Sequence, residues 1–370
     1  MTHRYAFTPL ASAFAVALTL ASASSIVDAQ ELNIYNWSDN IADDTVSGFV
    51  KQTGTHTRYD VYDSDETLQA KLLAGSSGYD IVVPSSTYAG KQIQAGVYQK
   101  LDKSKIPNLA NLDPVLMKLV AGADPGNQYT VPWSWGTDGL GYNATRVTEI
   151  LGKDAPVDSW DLLFDPKYVS KLKRCGVSVL DSPEDAFAAG LVYLHKDQNS
   201  RNPADYQAVY DLYRTIRPYI TQFNSSGYIN DLANNDICLA LAWSGDVAIA
   251  KKRASEAHKS YVIDYSIPKG DGILWFDLMA VPKDAPHAAS AMQWINYILQ
   301  PNVSAAITNQ VFYPNANKAA LPLVKTDIRD NAAIYPSSER LKSSMTVQTP
   351  PPSDIMRLQN RLWAQIKAGR

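Results

Sequence analysis

The N-terminal part of the sequence alternates strand patterns with helix patterns, and this alternation constrains the fold more than any other feature. Strands are predicted at residues 32–37 (LNIYNW), 56–62 (HTRYDVY) and 79–86 (YDIVVPSS). Helical patterns fill the gaps, at Ile41 to Gln52 and at Thr67 to Ala74. The third strand pattern is an apolar run, which is typical of a parallel sheet covered on both faces. The order strand, helix, strand, helix, strand therefore predicts an α/β lobe.

The alternation returns after a glycine-containing segment at residues 136–143 (GTDGLGYN). Its glycines lack the spacing of a dinucleotide-binding fingerprint, and we interpret the segment as a crossover turn between two lobes. No Ser/Gly linker separates two consecutive domains in the sequence, so we expect short crossovers and a late return of the chain to the first lobe. The predicted lobes are residues 30–137 with about 262–312, and residues 138–261 with about 313–370.

The N-terminus has the composition of a secretory signal peptide. Arg4 supplies a positive charge, Phe14 to Leu20 an apolar segment, and Val27 to Ala29 a small-residue cleavage site before Gln30. A transmembrane helix is the alternative, but the apolar segment is short and is followed by serines. We therefore expect residues 1–29 to be removed on export, which leaves a soluble periplasmic or secreted protein.

Composition and motifs exclude several classes of function. The net charge of −3 at pH 7 argues against nucleic-acid binding, which needs a basic surface, and tolerates a cationic ligand. The sequence contains no His-Glu-x-x-His, Gly-x-Ser-x-Gly, P-loop or EF-hand motif. The five histidines are scattered along the chain. We therefore expect no metal, no cofactor and no catalytic residue.

Cys175 and Cys238 are the only two cysteines in the sequence. In an oxidising compartment, a single disulfide between them is their natural use. Two buried free thiols are the alternative.

An aromatic residue followed closely by a carboxylate recurs just after predicted strands. Ligands of open α/β sheets bind beyond the carboxyl ends of the strands, where distant segments converge. Aromatic faces attract cations, and buried carboxylates form charge-assisted hydrogen bonds with ammonium groups. The pattern therefore suits a slim molecule with a cation at each end. Its elements are Trp37-Ser38-Asp39, Trp243-Ser244-Gly245-Asp246, Trp275-Phe276-Asp277, Tyr313 and the acidic loop Asp181 to Asp185.

Each element also has an ordinary structural interpretation. Trp37 and Trp275 could be core aromatics, and Asp39 and Asp246 could each cap the helix that follows. The acidic loop could be a helix start. Three separate repeats of the aromatic–carboxylate pair favour a binding site over these alternatives.

Five stretches of the sequence carry a resemblance to a known family: IYNWSDNIADDT, YDVYDSDETLQAKLLAGSSGYDIVVPSS, DAPVDSWDLL, INDLANNDICLALAWSGDV and VFYPNANKAALPLV. They closely resemble the periplasmic polyamine-binding proteins of ABC importers, the putrescine and spermidine receptors. The resemblance covers nearly the whole chain after the leader. It implies an α/β, two-lobed periplasmic-binding-protein fold of type II with the ligand cleft between the lobes.

The resemblance also implies a function and a set of site residues. The implied protein is a monomeric, non-enzymatic receptor that captures putrescine or spermidine and delivers it to an inner-membrane ABC permease. Cys175 and Cys238 match a pair that is bridged in putrescine receptors. The implied ligand-binding residues are Trp37, Ser38, Asp39, Ser85, Asp185, Trp243, Asp246, Trp275, Asp277 and Tyr313.

Four positions depart from the pattern of putrescine receptors and bear on which polyamine binds. Asp185 stands where Glu is expected, and Thr87, Ser182 and Trp275 stand where Ser, Ala and Phe are expected. We expect both putrescine and spermidine to bind. The alternative from another class is a secreted glycoside hydrolase, because tryptophans flanking paired carboxylates also describe a sugar cleft.

Overall fold

A single mixed sheet runs through the centre of the computed structural model, which describes residues 1–3 and 31–369. The predicted signal peptide falls almost entirely on residues 4–30, outside the described residues. In the described part of the chain the sheet has ten strands. They are β1 (Glu31–Trp37), β2 (His56–Tyr62), β3 (Ile81–Val82), β4 (Thr130–Asn143), β5 (Val177–Val179), β6 (Gln222–Phe223), β7 (Leu239–Trp243), β8 (Ile263–Ser266), β9 (Gly272–Ala280) and β10 (Met345–Val347).

Helices connect these strands throughout the described residues. No described helix combines the length and the apolar character that crossing a membrane requires. The helices are α1 (Thr45–Thr53), α2 (Asp65–Leu73), α3 (Ser86–Gln94), α4 (Pro114–Val120), α5 (Ala144–Leu151), α6 (Asp161–Phe164), α7 (Pro166–Leu172), α8 (Pro183–Tyr193), α9 (Pro203–Ile216), α10 (Tyr228–Asn234), α11 (Ser244–Glu256), α12 (Ala288–Ile298), α13 (Pro301–Val311), α14 (Thr326–Arg329), α15 (Ser338–Ser343) and α16 (Ser353–Lys367).

Two parallel groups of strands form the two halves of the sheet. β1 lies between β2 and β3 and is parallel to both, and β5 lies between β7 and β6 and is parallel to both. The strand order is β2-β1-β3-β9-β4-β7-β5-β6, with β10 beside β9 and β8 beside β4. Both residues of β3 are buried, as its apolar run predicts. The predicted α/β alternation is confirmed.

The crossover turn predicted at residues 136–143 is wrong, because these residues belong to the continuous, fully buried strand β4. β4 pairs antiparallel with β9 as far as Asp138 and with β7 from Asp138 to Tyr142. Gly136 is required by packing rather than by a turn, since a Cβ there would collide with the indole of Trp275. Glycine inside a strand commonly marks such a close approach.

Two large apolar cores lie on the two halves of the molecule. The first core includes Leu32, Phe49 and Trp294, and the second includes Leu140, Phe187 and other residues of α8 to α11 and α16. Two separate cores are what a chain with two lobes requires. The predicted lobe boundaries stay a prediction. Of the residues that follow α13, Tyr313, Ala316 and Met345 belong to the first core, whereas those of α16 belong to the second.

Cys175 and Cys238 form a disulfide, as predicted, with their Cα atoms 5.5 Å apart. Cys175 follows α7, and Cys238 immediately precedes β7. The bridge therefore ties the end of a surface helix to the start of a buried strand in the second core.

We predict that this disulfide contributes substantially to stability. Its cysteines are 63 residues apart in sequence, and the chain-entropy model gives roughly 4 kcal/mol for a loop of that length. Replacing both cysteines by serine is expected to lower the free energy of unfolding by up to this amount, measured by denaturant titration. Thiol titration of unfolded, unreduced protein should find essentially no free thiol. Two free thiols per chain would contradict the bridge. As a control, adding a reductant should not change the free energy of unfolding of the double variant.

Candidate ligand-binding site

One cavity brings together all ten residues that the sequence analysis assigns to ligand binding. Its volume is about 120 Å³, several times the volume that one water molecule needs. Side chains from both apolar cores contribute to its wall. The ten residues are Trp37, Ser38, Asp39, Ser85, Asp185, Trp243, Asp246, Trp275, Asp277 and Tyr313.

Strand ends and helix starts position most of these side chains. Trp37 ends β1, Trp243 ends β7, and Ser85 is the N-cap residue of α3. Asp185 and Asp246 lie in the first turns of α8 and α11. The partial positive charge of a helix N-terminus stabilises a carboxylate placed there. The site therefore forms where parallel strands end and the following helices begin.

Trp275, Asp277 and Tyr313 complete the wall from the first core. Trp275 and Asp277 are two residues apart on β9 and so point to the same face of the sheet. The rings of Trp275 and Tyr313 meet edge to face, with centroids 5.5 Å apart. A Cβ at Gly245 would lie 2.6 Å from the Tyr313 ring, so only glycine at this position lets the ring pack against the start of α11.

Two phenols hold the Asp246 carboxylate. Tyr313 donates to its Oδ1 at 2.5 Å, and Tyr228 donates to its Oδ2 at 2.8 Å. Burial raises the pKa of Asp246 to about 6, although both phenol hydrogen bonds oppose the shift. The carboxylate is thus fixed in place and destabilised as an anion.

Asp277 is also buried among neutral donors. Its Oδ2 accepts from Ser134 Oγ at 3.0 Å and from Asn40 Nδ2 at 3.3 Å. Burial raises its pKa to about 7, and the negative charges of Asp246 and Asp185 add to the effect.

Asp185 accepts hydrogen bonds on both of its oxygens. Trp243 Nε1 donates to Oδ2 and Gln348 Nε2 donates to Oδ1, each at 3.1 Å. Burial raises its pKa, and these donors together with Ser182 oppose the rise. The indole of one predicted site residue therefore orients the carboxylate of another.

Asp39 differs from the other carboxylates because its side chain is 63% exposed and lies 3.7 Å from Arg253. The alternative that Asp39 caps the following helix is wrong, because α1 begins at Thr45 and its N-cap residue is Asp44. Asp246 is likewise not a cap, since Trp243 is the N-cap residue of α11. The ordinary interpretation holds for Ser182, which caps α8 by accepting from the Asp185 N–H.

Several residues around the cavity are not among the ten predicted site residues. Tyr228 and Gln348 come from a helix and from a loop that carry no local signal of a site. Asp65 and Glu184 also line the cavity, and burial raises the pKa of each to about 8. For Glu184 a signal was present, because it belongs to the acidic loop. Asp65 resembles an ordinary residue of a first helical turn.

Buried acids without a matching base give the site its chemical character. In the part of the chain that the structure describes, Asp185, Asp246 and Asp277 form no ion pair with a lysine, arginine or histidine. Tryptophan and tyrosine rings lie beside them. Such a site can compensate the charge of an ammonium group and cover an apolar chain with aromatic faces.

Comparisons with known proteins agree with this geometry. Residues 45–334 match the family described as bacterial extracellular solute-binding protein. The chain is 48% identical over 359 residues to the putrescine-binding periplasmic protein SpuD of Pseudomonas aeruginosa, with 96% of this chain and 98% of that protein covered. It is also 48% identical over 363 residues to the putrescine-binding periplasmic protein PotF of Escherichia coli, with 98% of each covered.

A solved structure extends the likeness to the fold. The spermidine/putrescine ABC transporter substrate-binding protein PotD from Streptococcus pneumoniae superposes with a TM-score of 0.76 at 26% identity, covering 92% of this chain and 99% of that chain. The predicted two-lobed α/β binding-protein fold is confirmed. The glycoside hydrolase alternative is not supported, because the matched family is described as solute-binding and both relatives are named as putrescine-binding proteins. By its matched residues, its relatives and its fold, the chain belongs to the bacterial extracellular solute-binding protein family.

Proposed function

We propose that this protein is a periplasmic receptor that captures putrescine, spermidine or both between its two lobes and delivers the polyamine to an ABC permease in the inner membrane. The names of two relatives at 48% identity, both putrescine-binding and periplasmic, support this function. The leader predicted at residues 1–29 supports the compartment. We propose that the protein acts as a monomer.

The observation that carries the proposal is the pair of buried carboxylates Asp246 and Asp277 beside the rings of Trp275 and Tyr313. Neither carboxylate forms an ion pair among the described residues, although the positive charge of Arg253 opposes the rise in the pKa of Asp246. A ligand with ammonium groups at its ends supplies the missing positive charges, and its methylenes contact the rings. A neutral sugar would leave both carboxylates uncompensated.

We predict that calorimetric titration detects saturable binding of both putrescine and spermidine. Putrescine has two ammonium groups, and the acids along the cavity provide charge for the third amine of spermidine. A matched diol, with hydroxyl groups in place of the amines, serves as the control and should not bind. Binding of the diol, or of neither polyamine, would contradict the proposed function.

Removing one buried carboxylate is predicted to weaken polyamine binding strongly. Truncating one partner of a buried charge pair commonly costs about 2–5 kcal/mol, which is roughly thirtyfold to several-thousandfold in dissociation constant. Asp246→Asn and Asp277→Asn should fall in this range in calorimetric titrations. Asp39→Asn should have a smaller effect, because Asp39 is exposed and already lies beside Arg253.

The matched control for these variants is Asp330→Asn. Asp330 is an exposed carboxylate that pairs with Arg329 outside the cavity, so its removal should leave the affinity unchanged. Wild-type affinity in both Asp246→Asn and Asp277→Asn would mean that these carboxylates do not contact the ligand.

Affinity is predicted to fall as the pH falls below about 7. Burial raises the pKa of Asp277 to about 7 and that of Asp246 to about 6. A bound ammonium favours the ionised carboxylates, so the free protein holds more protons than the complex and binding releases protons. Affinity is therefore full above the raised pKa values and is lost as the pH falls through them.

Calorimetry from about pH 8 to about pH 5 in buffers of different ionisation enthalpy measures both effects. The observed heat should vary with the buffer near pH 6 to 7, and the dissociation constant should rise towards acid pH. A dissociation constant that stays constant across this range would contradict the linkage between ligand and protons.

A further inference from the structure

Asp138 is a completely buried carboxyl group, 0% exposed, in the middle of β4. It is the residue at which β4 passes between its two neighbours, since it pairs with Ile273 of β9 on one side and with Trp243 of β7 on the other. It does not line the cavity. Any effect of Asp138 on a ligand must therefore act through other side chains.

One oxygen of Asp138 holds the indole of Trp275. Trp275 Nε1 donates to Asp138 Oδ1 at 3.0 Å. Gly136 lies two residues before Asp138, on the same face of β4, and leaves room for the six-membered ring of the same indole. The strand thus determines both where the ring lies and which way its N–H points.

The other oxygen, Asp138 Oδ2, is buried and accepts no hydrogen bond from the described residues. An ionised carboxylate would leave a charged oxygen there without donor or cation, which is costly in a buried place. A proton on Oδ2 removes this cost and turns the oxygen into a donor.

The neighbouring carboxyl that can accept a hydrogen bond from this proton is that of Asp185. Burial raises the pKa of Asp138, and the negative charge of Asp185 and a side-chain hydrogen bond between the two carboxyls raise it further. The same hydrogen bond acts against the rise that burial causes in the pKa of Asp185. Asp185 already accepts from Trp243 and Gln348, so it is the partner better stabilised as an anion. Two neighbouring acids with one proton between them avoid the repulsion of two charges.

We propose that Asp138 is a positioning residue of the binding site: a neutral carboxylic acid that accepts from the indole N–H of Trp275 and donates to the Asp185 carboxylate. It thereby fixes an aromatic wall and an ionised acid of the same site. This inference rests on the proposed polyamine function for its ligand.

The test compares two replacements that share the branched shape of the aspartate side chain. Asn keeps an acceptor and a donor and so mimics the neutral acid, whereas Leu is larger and loses both hydrogen bonds. We expect Asp138→Leu to weaken the binding of putrescine and spermidine by about tenfold or more, and Asp138→Asn to recover most of this loss. If Asp138 is instead an ionised group, Asp138→Asn will weaken binding as strongly as Asp246→Asn does, and the proposal is overturned.

A double-mutant cycle tests the link through the indole. In the Trp275→Phe background no N–H remains to be held, so Asp138→Leu should cost less affinity than it does in the wild type. Equal losses in both backgrounds would show that Asp138 does not act through Trp275. Thermal unfolding of each variant reports whether it folds.

Infrared difference spectroscopy gives a readout that needs no polyamine and no folded Leu variant. The difference between wild type and Asp138→Asn, both without ligand, should contain the C=O band of a protonated carboxylic acid. If the difference spectrum shows the loss of a carboxylate band instead, the assigned protonation state of Asp138 is wrong. If wild type binds no polyamine while the protonated acid is present, the proposed function fails and the hydrogen-bonded arrangement stands.

Discussion

The antiparallel pairing of β4 with β9 on one side and with β7 on the other holds the two halves of the sheet together. Because β4 is buried along its whole length, its backbone groups must be hydrogen-bonded by neighbouring strands. β9 carries Trp275 and Asp277, and β7 ends at Trp243. The position of β4 therefore decides how the aromatic residues of the two halves face each other across the cavity.

Crowded acids are the second constraint on this molecule. Burial raises the pKa values of Asp185, Asp246 and Asp277 together, and the partners of these carboxylates are phenols, amides, a hydroxyl and an indole rather than cations. Neutral donors orient a carboxylate without cancelling its charge. This arrangement lowers the stability of the free protein, and a cationic ligand gains the electrostatic energy when it binds. Functional sites commonly lower stability in this way.

Particular elements show how far the sequence alone could lead. The apolar run at β3 predicted a buried parallel strand, and the aromatic–carboxylate pairs predicted side chains that do line one cavity. That these side chains bind a ligand remains a prediction. The glycines of residues 136–143 suggest a turn, because glycine is a common turn signal. Here Gly136 is needed because the indole of Trp275 packs against it. Trp275 lies 139 positions later in the chain, so no local pattern reveals this contact.

By itself, the sequence determined the α/β alternation, the cysteines available for a bridge and the aromatic residues Trp37 and Trp243 at strand ends, because each depends on local periodicity or on residue type. Trp275 and Asp277 were also expected just after a strand but lie inside β9. The tertiary structure alone decided which donors hold each carboxylate. Asp185 meets Gln348 across 163 residues, and Asp138 meets Trp275 across 137. Burial and hydrogen bonding set the charge of an acid, and both arise only when distant segments pack against one another.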